Sequence, residues 1–252
     1  MKRIGVCGDL HLPWADPIAV ELTMRVFKDS KVDQIILNGD IGDLYHWNSH
    51  GPVHPDVKTS AQDEIDSVHL FLTILRQQFP KIPIHYIMGN HEDRYDRDVV
   101  KTARKYYDKL KFAKELHLDS LNITYQAYNS YYEIIPNKLR VMHSPPSYSE
   151  NAAKVSLRKK VDCTYIYGCT HRPDYAQMKT STGKIVECYM LGWLGHIGDE
   201  LSESWRVFHY RKGHDTWGKS AAIIDVAGEE FSINHFMIKN NKILTGGKLY
   251  EI

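Results

Sequence analysis

The sequence predicts an α/β fold in one domain that spans residues 1–252. In its first half, short apolar segments alternate with segments of helical periodicity, and this order implies parallel strands joined by helical crossovers. Its second half is rich in strand-like segments and turn signals, which indicate a second sheet. The length suits one large domain, and we find neither an internal repeat nor a linker.

The elements of the first half follow from local signals. Strands are predicted at RIGVCG (3–8), DQIILN (33–38) and IPIHYIM (82–88), because each run is apolar, β-prone and followed by a polar turn. Helical spacing predicts a helix over 17–29, where the pair Asp16-Pro17 supplies a cap and a suitable first residue.

The clearest helix is predicted over 60–79, with Ser60 as its N-cap. Its apolar positions share one face, as expected of a helix that packs on a sheet; they are Ile65, Val68, Leu72 and Leu75. Residues 93–117 are predicted as a further, charged helical segment.

The second half is predicted as strands with one helix over 149–160, capped by Ser149. A hairpin is expected over 177–191 with its turn at 181–183, and another turn at Asn240-Asn241. The remaining strands are expected at 131–135, 138–143, 163–168, 205–210, 220–226 and within 230–247.

Composition excludes several classes of protein. A net charge of +1 gives no strong field for nucleic acid or an anionic membrane. No apolar run approaches the roughly 20 residues of a membrane span, and Asp9 and His11 interrupt the first apolar run, so we expect neither a membrane partner nor a signal peptide. The four cysteines form no CxxC pair, which favours free thiols and a cytoplasmic location.

Polar side chains suited to metals follow five of the predicted strands. In an open α/β sheet, ligands bind outside the carboxyl ends of the strands, so these side chains should meet in one place. Each piece alone is weak, whereas five in succession favour a functional site. They are Asp9 and His11, Asp40 and Asp43, Asn90 with His91 and Glu92, His143, and Cys169 with His171.

The blocks DLH, GDIGD, GNHE, an isolated His and GCTH resemble those of the calcineurin-like metallophosphoesterases, over residues 4 to about 173. The resemblance implies a four-layer αββα sandwich of two mixed β-sheets flanked by helices, and metal-dependent hydrolysis of phosphate esters. Softer features are most similar to the small phosphoesterases of bacteriophage and prophage genomes. These are the aromatic loop after GDIGD, GNHEDR and KGHDTWGKSAAIIDV.

Carried over motif by motif, the resemblance implies two divalent metal ions. Asp9, His11, Asp40 and His171 would hold the first, and Asp40 would bridge to a second held by Asn90, His143 and Cys169. Mixed oxygen and nitrogen ligands suit Mn, Fe or Zn, with Mn the expected activator in vitro.

The same resemblance assigns the chemistry. A hydroxide shared by both ions would attack phosphorus in line with the leaving oxygen. His91 would stay unbound beside the ions and donate a proton or stabilise the transition state. Asp43 is expected to orient a ligand such as His11, or else to form a structural salt bridge.

Cys169 departs from the family pattern, which is Gly-His-x-His where this chain has Gly-Cys-Thr-His. Three interpretations stay open. The thiolate ligates and favours Zn or Fe, or the residue does not ligate and the second site is weak, or the site is dead and the protein is a binding scaffold. The other intact blocks favour an active enzyme.

Several residues are candidates for substrate contact. The loop 44–54 carries His46 and aromatic rings that could stack on a base or pack on a helix. Arg172, beside His171, is placed to contact a phosphate, and Trp193 and His196 could line the pocket. The basic segment 94–118 and Lys154, Arg158, Lys159 and Lys160 could form a rim for a polyanion or solvated helix faces.

The expected function is therefore a phosphodiesterase on a nucleotide or nucleic acid. The alternatives are a non-catalytic metal-bound scaffold and a nuclease subunit that acts with an ATPase partner. The oligomeric state is left open.

Overall fold

A computed structural model describes residues 1–47, 58–160, 162–196 and 216–252. The described strands are β1 (Lys2–Cys7), β2 (Gln34–Asn38), β3 (Ile84–Ile87), β4 (Ile123–Gln126), β5 (Tyr131–Ile135), β6 (Leu139–Met142), β7 (Thr164–Tyr167), β8 (Asp174–Lys179), β9 (Ile185–Met190), β10 (Lys219–Ala227), β11 (Glu230–Lys239), β12 (Lys242–Thr245) and β13 (Lys248–Glu251). The described helices are α1 (Pro17–Asp29), α2 (Ala61–Gln78), α3 (Asn90–Ala103), α4 (Tyr107–Leu110), α5 (Phe112–Glu115) and α6 (Ala152–Lys159), with 3₁₀ turns at Tyr45–Trp47 and Arg104–Tyr106. The strand predicted at 205–210 and residues 48–54 of the aromatic loop lie outside the described residues.

The larger sheet has eight strands in the order β13-β12-β11-β10-β1-β2-β3-β4. Strands β1 to β4 pair in parallel, which confirms the predicted crossovers of the first half. Strands β10 to β13 then add to β1 as an antiparallel meander. The C-terminal strands therefore complete the first sheet, and only the middle of the chain builds the second.

The smaller sheet has five strands in the order β5-β6-β7-β9-β8. Its central strands β6, β7 and β9 are parallel, and β5 and β8 pair antiparallel at the edges. The pair β8 and β9 is the predicted hairpin. Both sheets are thus mixed, as the expected fold requires.

Alternate side chains of the strands divide the core into layers. Ile4 and Val6 of β1 pack between the sheets, together with Ile166 of β7. Phe27 of α1 and Leu72 of α2 pack on the other face of the large sheet. Helix α6 covers the outer face of the small sheet. The result is the expected four-layer αββα sandwich.

The helix signals were reliable where a cap marked the start. Asp16 accepts hydrogen bonds from the first turn of α1 (2.9 Å from the Ile18 nitrogen), and Ser60 forms a capping box with Asp63 at α2. The cap predicted at Ser149 is wrong, since its hydroxyl pairs with Ser147 and α6 begins three residues later.

The charged helical segment predicted over 93–117 is largely helical, but it is not one continuous helix. The segment is broken into α3, a 3₁₀ turn, α4 and α5, and α3 already begins at Asn90. The break has a physical reason: the Asp96 carboxylate accepts the Phe112 backbone N–H (2.8 Å), which folds the chain back on α3. Among the described residues, no helix is long and apolar enough to cross a membrane.

Candidate metal centre

The polar blocks that follow five strands meet at one edge of the sandwich. The strands β1, β2 and β3 end there in the large sheet, and β6 and β7 end there in the small sheet. The Asp9 N–H donates to the Gly39 carbonyl (2.9 Å), and the His11 N–H to the Asp40 carbonyl (3.0 Å). Across the sheets, the Cys169 N–H donates to the Asp9 carboxylate (3.0 Å). The strand ends therefore converge, although they belong to two sheets and not to one.

Asp9, His11 and His171 form the first group of possible ligands. The two imidazole Nε2 atoms lie 3.0 Å apart. His171 Nε2 lies 3.3 Å from Asp9 Oδ1, and His11 Nε2 lies 4.0 Å from the same oxygen. All three ligand atoms lie within 4.8 Å of one another, so together they could hold one ion.

Asp40, His143 and Cys169 form the second group. His143 Nε2 lies 3.1 Å from Asp40 Oδ2 and 3.2 Å from the amide oxygen of Asn90. The Cys169 sulfur lies 3.1 Å from the same amide oxygen. The structure thus brings together the four residues assigned to the second ion. Ligation by the thiolate stays a prediction.

Asp40 of the second group also lies close to His11 of the first group. Its Oδ1 accepts the backbone N–H of His91 (3.0 Å), and its Oδ2 faces His143. With His11 and His91 it forms a third, overlapping group, in which His91 Nε2 lies 3.7 Å from Asp40 Oδ2. A carboxylate shared in this way can bridge two cations. His91 is close enough to ligate as well, which the sequence did not predict.

Two of the imidazoles are oriented by hydrogen bonds at Nδ1. His11 Nδ1 lies 2.8 Å from Asp43 Oδ1, and His143 Nδ1 lies 2.6 Å from the Asn38 carbonyl. Because Nδ1 donates in each ring, Nε2 is the nitrogen that is directed at the site, as in metal-binding histidines. Asp43 is therefore placed where it was expected, beside His11.

His171 is held differently. Its Nδ1 is buried and has no hydrogen-bond partner among the described residues. Instead, the indole of Trp193 stacks on the ring (centroids 5.4 Å apart, planes at 15°), and the indole of Trp217 meets it edge-on (4.2 Å). Aromatic packing thus fixes this ring where a polar partner fixes the other two.

The backbone of the site is strained. Five of the assigned ligands have left-handed φ values between 49° and 68°, a region that side chains other than glycine rarely adopt; they are Asp9, His11, Asp40, Cys169 and His171. Close approach of the loops also requires glycine, since a Cβ on Gly89 would meet Asp40 Oδ1 at 2.1 Å.

Glu92 organises the centre, although no role was predicted for it beyond its place in the GNHE block. Its fully buried carboxylate accepts the N–H groups of Gly89 (2.7 Å) and Asp40 (3.0 Å) at Oε2. Oε1 accepts the N–H groups of Ile41 (2.9 Å) and Gly42 (3.1 Å). One residue of α3 therefore shapes the loop after β2. Its position three residues after Gly89, as in a capping box, is the signal that could have identified it.

Burial and charge set the protonation of the site. Burial raises the pKa of Asp40, but His143 and His91 outweigh this effect and hold the pKa well below its usual value. Burial lowers the pKa of His91 to about 4, so its ring is neutral at pH 7. The single proton is on Nδ1, which donates to the Asp43 carbonyl. Burial also raises the pKa of Cys169, an effect that His143 only partly offsets.

The sequence of residues 2–199 matches the family model described as calcineurin-like phosphoesterase. The chain belongs to this family. A search of curated proteins found no match.

Solved structures of similar fold include a vacuolar sorting protein, a phosphoesterase and a phosphatase. Vacuolar protein sorting 29 from Cryptosporidium parvum has a TM-score of 0.48 at 12% identity, over 99% of this chain and 94% of that chain. YfcE, a phosphoesterase from E. coli, has a TM-score of 0.41 at 14% identity, over 94% of this chain and 100% of that chain. A dimetal phosphatase from Danio rerio has a TM-score of 0.44 at 12% identity, over 93% of this chain and 95% of that chain. Similarity at this level says nothing about the activity of the present chain.

The described part of the aromatic loop packs on helices, the alternative weighed from the sequence. Trp47 lies against Tyr95 of α3 (centroids 5.0 Å apart). His46, a candidate for substrate contact, directs Nδ1 at Glu64 of α2 (2.7 Å) and keeps 22% of its side chain exposed. Only its Nε2 is left to meet a substrate.

The remaining candidates fall into different places. The Arg172 guanidinium donates to the Tyr148 carbonyl (2.6 Å). The basic segment 94–118 belongs to the helical layer on the large sheet, whereas α6 packs on the small sheet. The two basic stretches therefore occupy opposite layers and do not form one continuous rim.

Proposed function

We propose that the protein is a binuclear metal-dependent phosphoesterase in which residues 1–252 form one domain. The observation that carries this proposal is the arrangement around Asp40, which belongs to two groups of possible ligand atoms, one with His11 and His91 and one with His143 and Cys169. His91 lies beside the shared carboxylate and has its Nε2 directed toward it. Single structural ion sites need neither a shared carboxylate nor an adjacent histidine that lies outside the two four-residue ligand sets.

The residues fit two divalent ions. The first set offers two carboxylates and two imidazoles, from Asp9, Asp40, His11 and His171, and is suited to Mn, Fe or Zn. The second set adds a carboxamide and a thiol, and a thiolate at Cys169 would shift its preference toward Zn or Fe. The Nδ1 hydrogen bonds of His11 and His143 leave the correct nitrogen for an ion.

The chain's own residues then have separate tasks in ester hydrolysis. The ions, when bound, would lower the pKa of water and neutralise the charge of the phosphoryl oxygens. His91 presents Nε2 to the substrate and can hydrogen bond to the leaving oxygen. It can protonate that oxygen only after Nε2 has gained a proton, because Nδ1 is engaged with Asp43. Arg172, next but one to Thr170 and adjacent to His171 in the chain, is the proposed contact for a phosphate, because a guanidinium binds phosphate oxygens well.

A diester of a nucleotide or nucleic acid is the proposed substrate class. The resemblance to the phosphoesterases of phage genomes stays a prediction and does not carry this proposal. The separation of the two basic stretches weakens the case for a nuclease subunit that works with an ATPase. The scaffold alternative depends on Cys169 alone, and the thiol lies within the second ligand group.

The test is hydrolysis of bis-p-nitrophenyl phosphate beside p-nitrophenyl phosphate with Mn²⁺. Asp40→Asn should abolish turnover and lower the content of bound ions. Asp66→Asn, the same change on the exposed face of α2, is the matched control and should keep both. Diester turnover that is lost only in Asp40→Asn supports the proposal, and turnover of the monoester alone indicates a phosphatase.

Absence of turnover with either ester, repeated with Fe²⁺ and Zn²⁺ under reducing conditions, would favour the scaffold. Measurement of bound ions in the same samples then separates a scaffold that holds metal from a site that holds none.

A further inference from the structure

A cavity of about 620 Å³ opens beside the metal centre. Its walls include two indoles, a proline ring, a lysine and two carboxamides, and apart from the packing of the indoles on His171 none of these groups has a role in the chemistry described above. The residues are Pro173, Trp193, Trp217, Lys219, Asn240 and Asn241. The volume is typical of sites for small organic ligands.

Two residues that line the cavity also contact His171 of the first ligand group. Trp193 stacks on His171 and lies 6.5 Å from His11 between ring centroids. Trp217 contacts His171 edge-on. The backbone continues this connection, because the Gly218 N–H donates to the His171 carbonyl (2.9 Å) and the Trp193 N–H to the Gly218 carbonyl (3.0 Å). A group in the cavity is therefore one side chain away from a proposed metal ligand.

The topology explains why a hairpin from the far end of the chain reaches this point. Strand β10 runs antiparallel to β1, so its first residue, Lys219, lies at the edge where β1 ends. Lys219 pairs with Ile238 near the end of β11, so the turn Asn240-Asn241 lies at that edge too. The carboxyl edge of the parallel strands is where α/β folds bind their ligands.

The lining fits a flat heteroaromatic ring. The two indoles cross at 72° with centroids 4.8 Å apart. Trp193 is only 4% exposed and stacks on His171, so the partly exposed Trp217 is the indole that a ligand in the cavity can contact. Aromatic side chains stack on any base. The carboxamides of Asn240 and Asn241 can both donate to and accept from a base edge, which an alkyl or phosphopeptide group would not require.

We propose that this cavity is the subsite for the nucleobase of the substrate ester. The inference rests on the proposed function and makes it more specific. With the phosphoryl group at the ligand groups, the nucleoside would extend past His171 and place its base against Trp217. The substrate class is then a nucleoside phosphodiester and not a phosphoprotein.

Two esters that share one leaving group test the inference. Thymidine 5′-(p-nitrophenyl phosphate) carries a base, and methyl p-nitrophenyl phosphate does not. Stacking of a base contributes about 1–3 kcal/mol, roughly 5- to 150-fold. We expect kcat/KM for the thymidine ester to exceed that for the methyl ester by at least about fivefold. Trp217→Leu should lower this ratio to near one, whereas Trp217→Phe, which keeps an aromatic ring, should retain most of it.

A binding measurement makes the test independent of turnover. Equilibrium dialysis of thymidine against the protein with EDTA should show binding that Trp217→Leu weakens and Trp217→Phe retains. Equal kcat/KM values for the two esters in the native protein, together with no thymidine binding, would overturn the inference. An equal advantage for benzyl p-nitrophenyl phosphate would also overturn it, because the cavity would then accept any aromatic group.

The two proposals fail in different ways. No hydrolysis of either ester under any metal condition rejects the phosphoesterase, and the dialysis result still decides the base subsite. Hydrolysis of both esters without base preference, together with no thymidine binding, rejects the subsite and leaves the phosphoesterase intact. If Trp217→Leu lost activity on both esters through a displaced His171, thymidine binding to Trp217→Phe and to the native protein would decide.

Discussion

Replacement of Glu92 by Gln tests the idea that one buried carboxylate shapes the loop after β2. Gln is isosteric, but its NH₂ group cannot accept a hydrogen bond. If the NH₂ replaces Oε2, the N–H groups of Gly89 and Asp40 lose their acceptor. If the NH₂ group replaces Oε1, the N–H groups of Ile41 and Gly42 lose their acceptor instead. At least two buried backbone donors are left unsatisfied in either orientation.

Each unsatisfied buried donor costs about 1–3 kcal/mol, so the free energy of unfolding should fall by about 2–6 kcal/mol. The matched control is Asp93→Asn, the same change at the next residue of α3, where the carboxylate is partly exposed and pairs with Arg97. The control should cost less than about 1 kcal/mol, since it removes only a surface ion pair and a favourable helix-dipole contact.

Urea unfolding of both variants, followed by circular dichroism in EDTA, measures the difference without a contribution from bound ions. Equal unfolding free energies for Glu92→Gln and Asp93→Asn would refute the reasoning. It would mean that the loop after β2 keeps its shape through its other contacts, and that Glu92 is only one capping residue among several.

Three further outcomes are expected. Asp43→Ala should weaken ion binding about 10- to 100-fold in calorimetric titration, because His11 loses its orienting acceptor. Cys169→His should change the preference between Zn²⁺ and Mn²⁺; unchanged ion content and rate would contradict thiolate ligation. Burial raises the pKa of Asp16, but the contact with Lys219 outweighs burial and holds this pKa below its usual value. The ionised carboxylate therefore stabilises the fold above about pH 4, and this stabilisation is lost as the pH falls through the folded-state pKa. Asp16→Asn, which keeps the helix cap, should therefore cost about 0.5–1 kcal/mol at pH 7 and nothing near pH 2 in urea unfolding.

Local signals predicted the first half of the fold well because each is complete within a few residues. Asp16-Pro17 and the Ser60 capping box mark helix starts without any help from tertiary structure. The segment 93–117 failed for the opposite reason. Its helical composition is real, but the hydrogen bond from Phe112 to Asp96 is a contact across 16 residues that periodicity does not record.

Sheet membership was the second limit. Residues 220–226 read correctly as a strand, yet nothing in their pattern says that they pair with β1 and not with the neighbouring hairpin. Strand β4 was missed because ITYQ is short and only its first residue, Ile123, is buried. The pairing partner of a strand is a property of the whole fold, and an alternating pattern gives only its orientation toward the core.

The positions of the candidate ligands could be predicted, but not the reason for their proximity. Strand ends that carry Asp, Asn and His were expected to converge at the edge of one sheet, whereas these residues lie together at the ends of strands from two sheets. The contacts that hold these residues in place could not be predicted from the sequence. The roles of Glu92 and Trp217 depend on partners distant in the chain, and single residues of these types carry no pattern of their own.

Each of the first two ligand groups takes residues from both sheets. Asp9 and His11 follow a strand of the large sheet, and His171 follows one of the small sheet; Asp40 is likewise opposed by His143 and Cys169. An ion in either group would fasten the two halves of the sandwich to each other. At a free concentration 100 times the Kd, each ion would add about 2.7 kcal/mol to stability. Opening of the sandwich would have to expel both ions, so metal supply would govern how long the folded chain survives as well as whether it reacts.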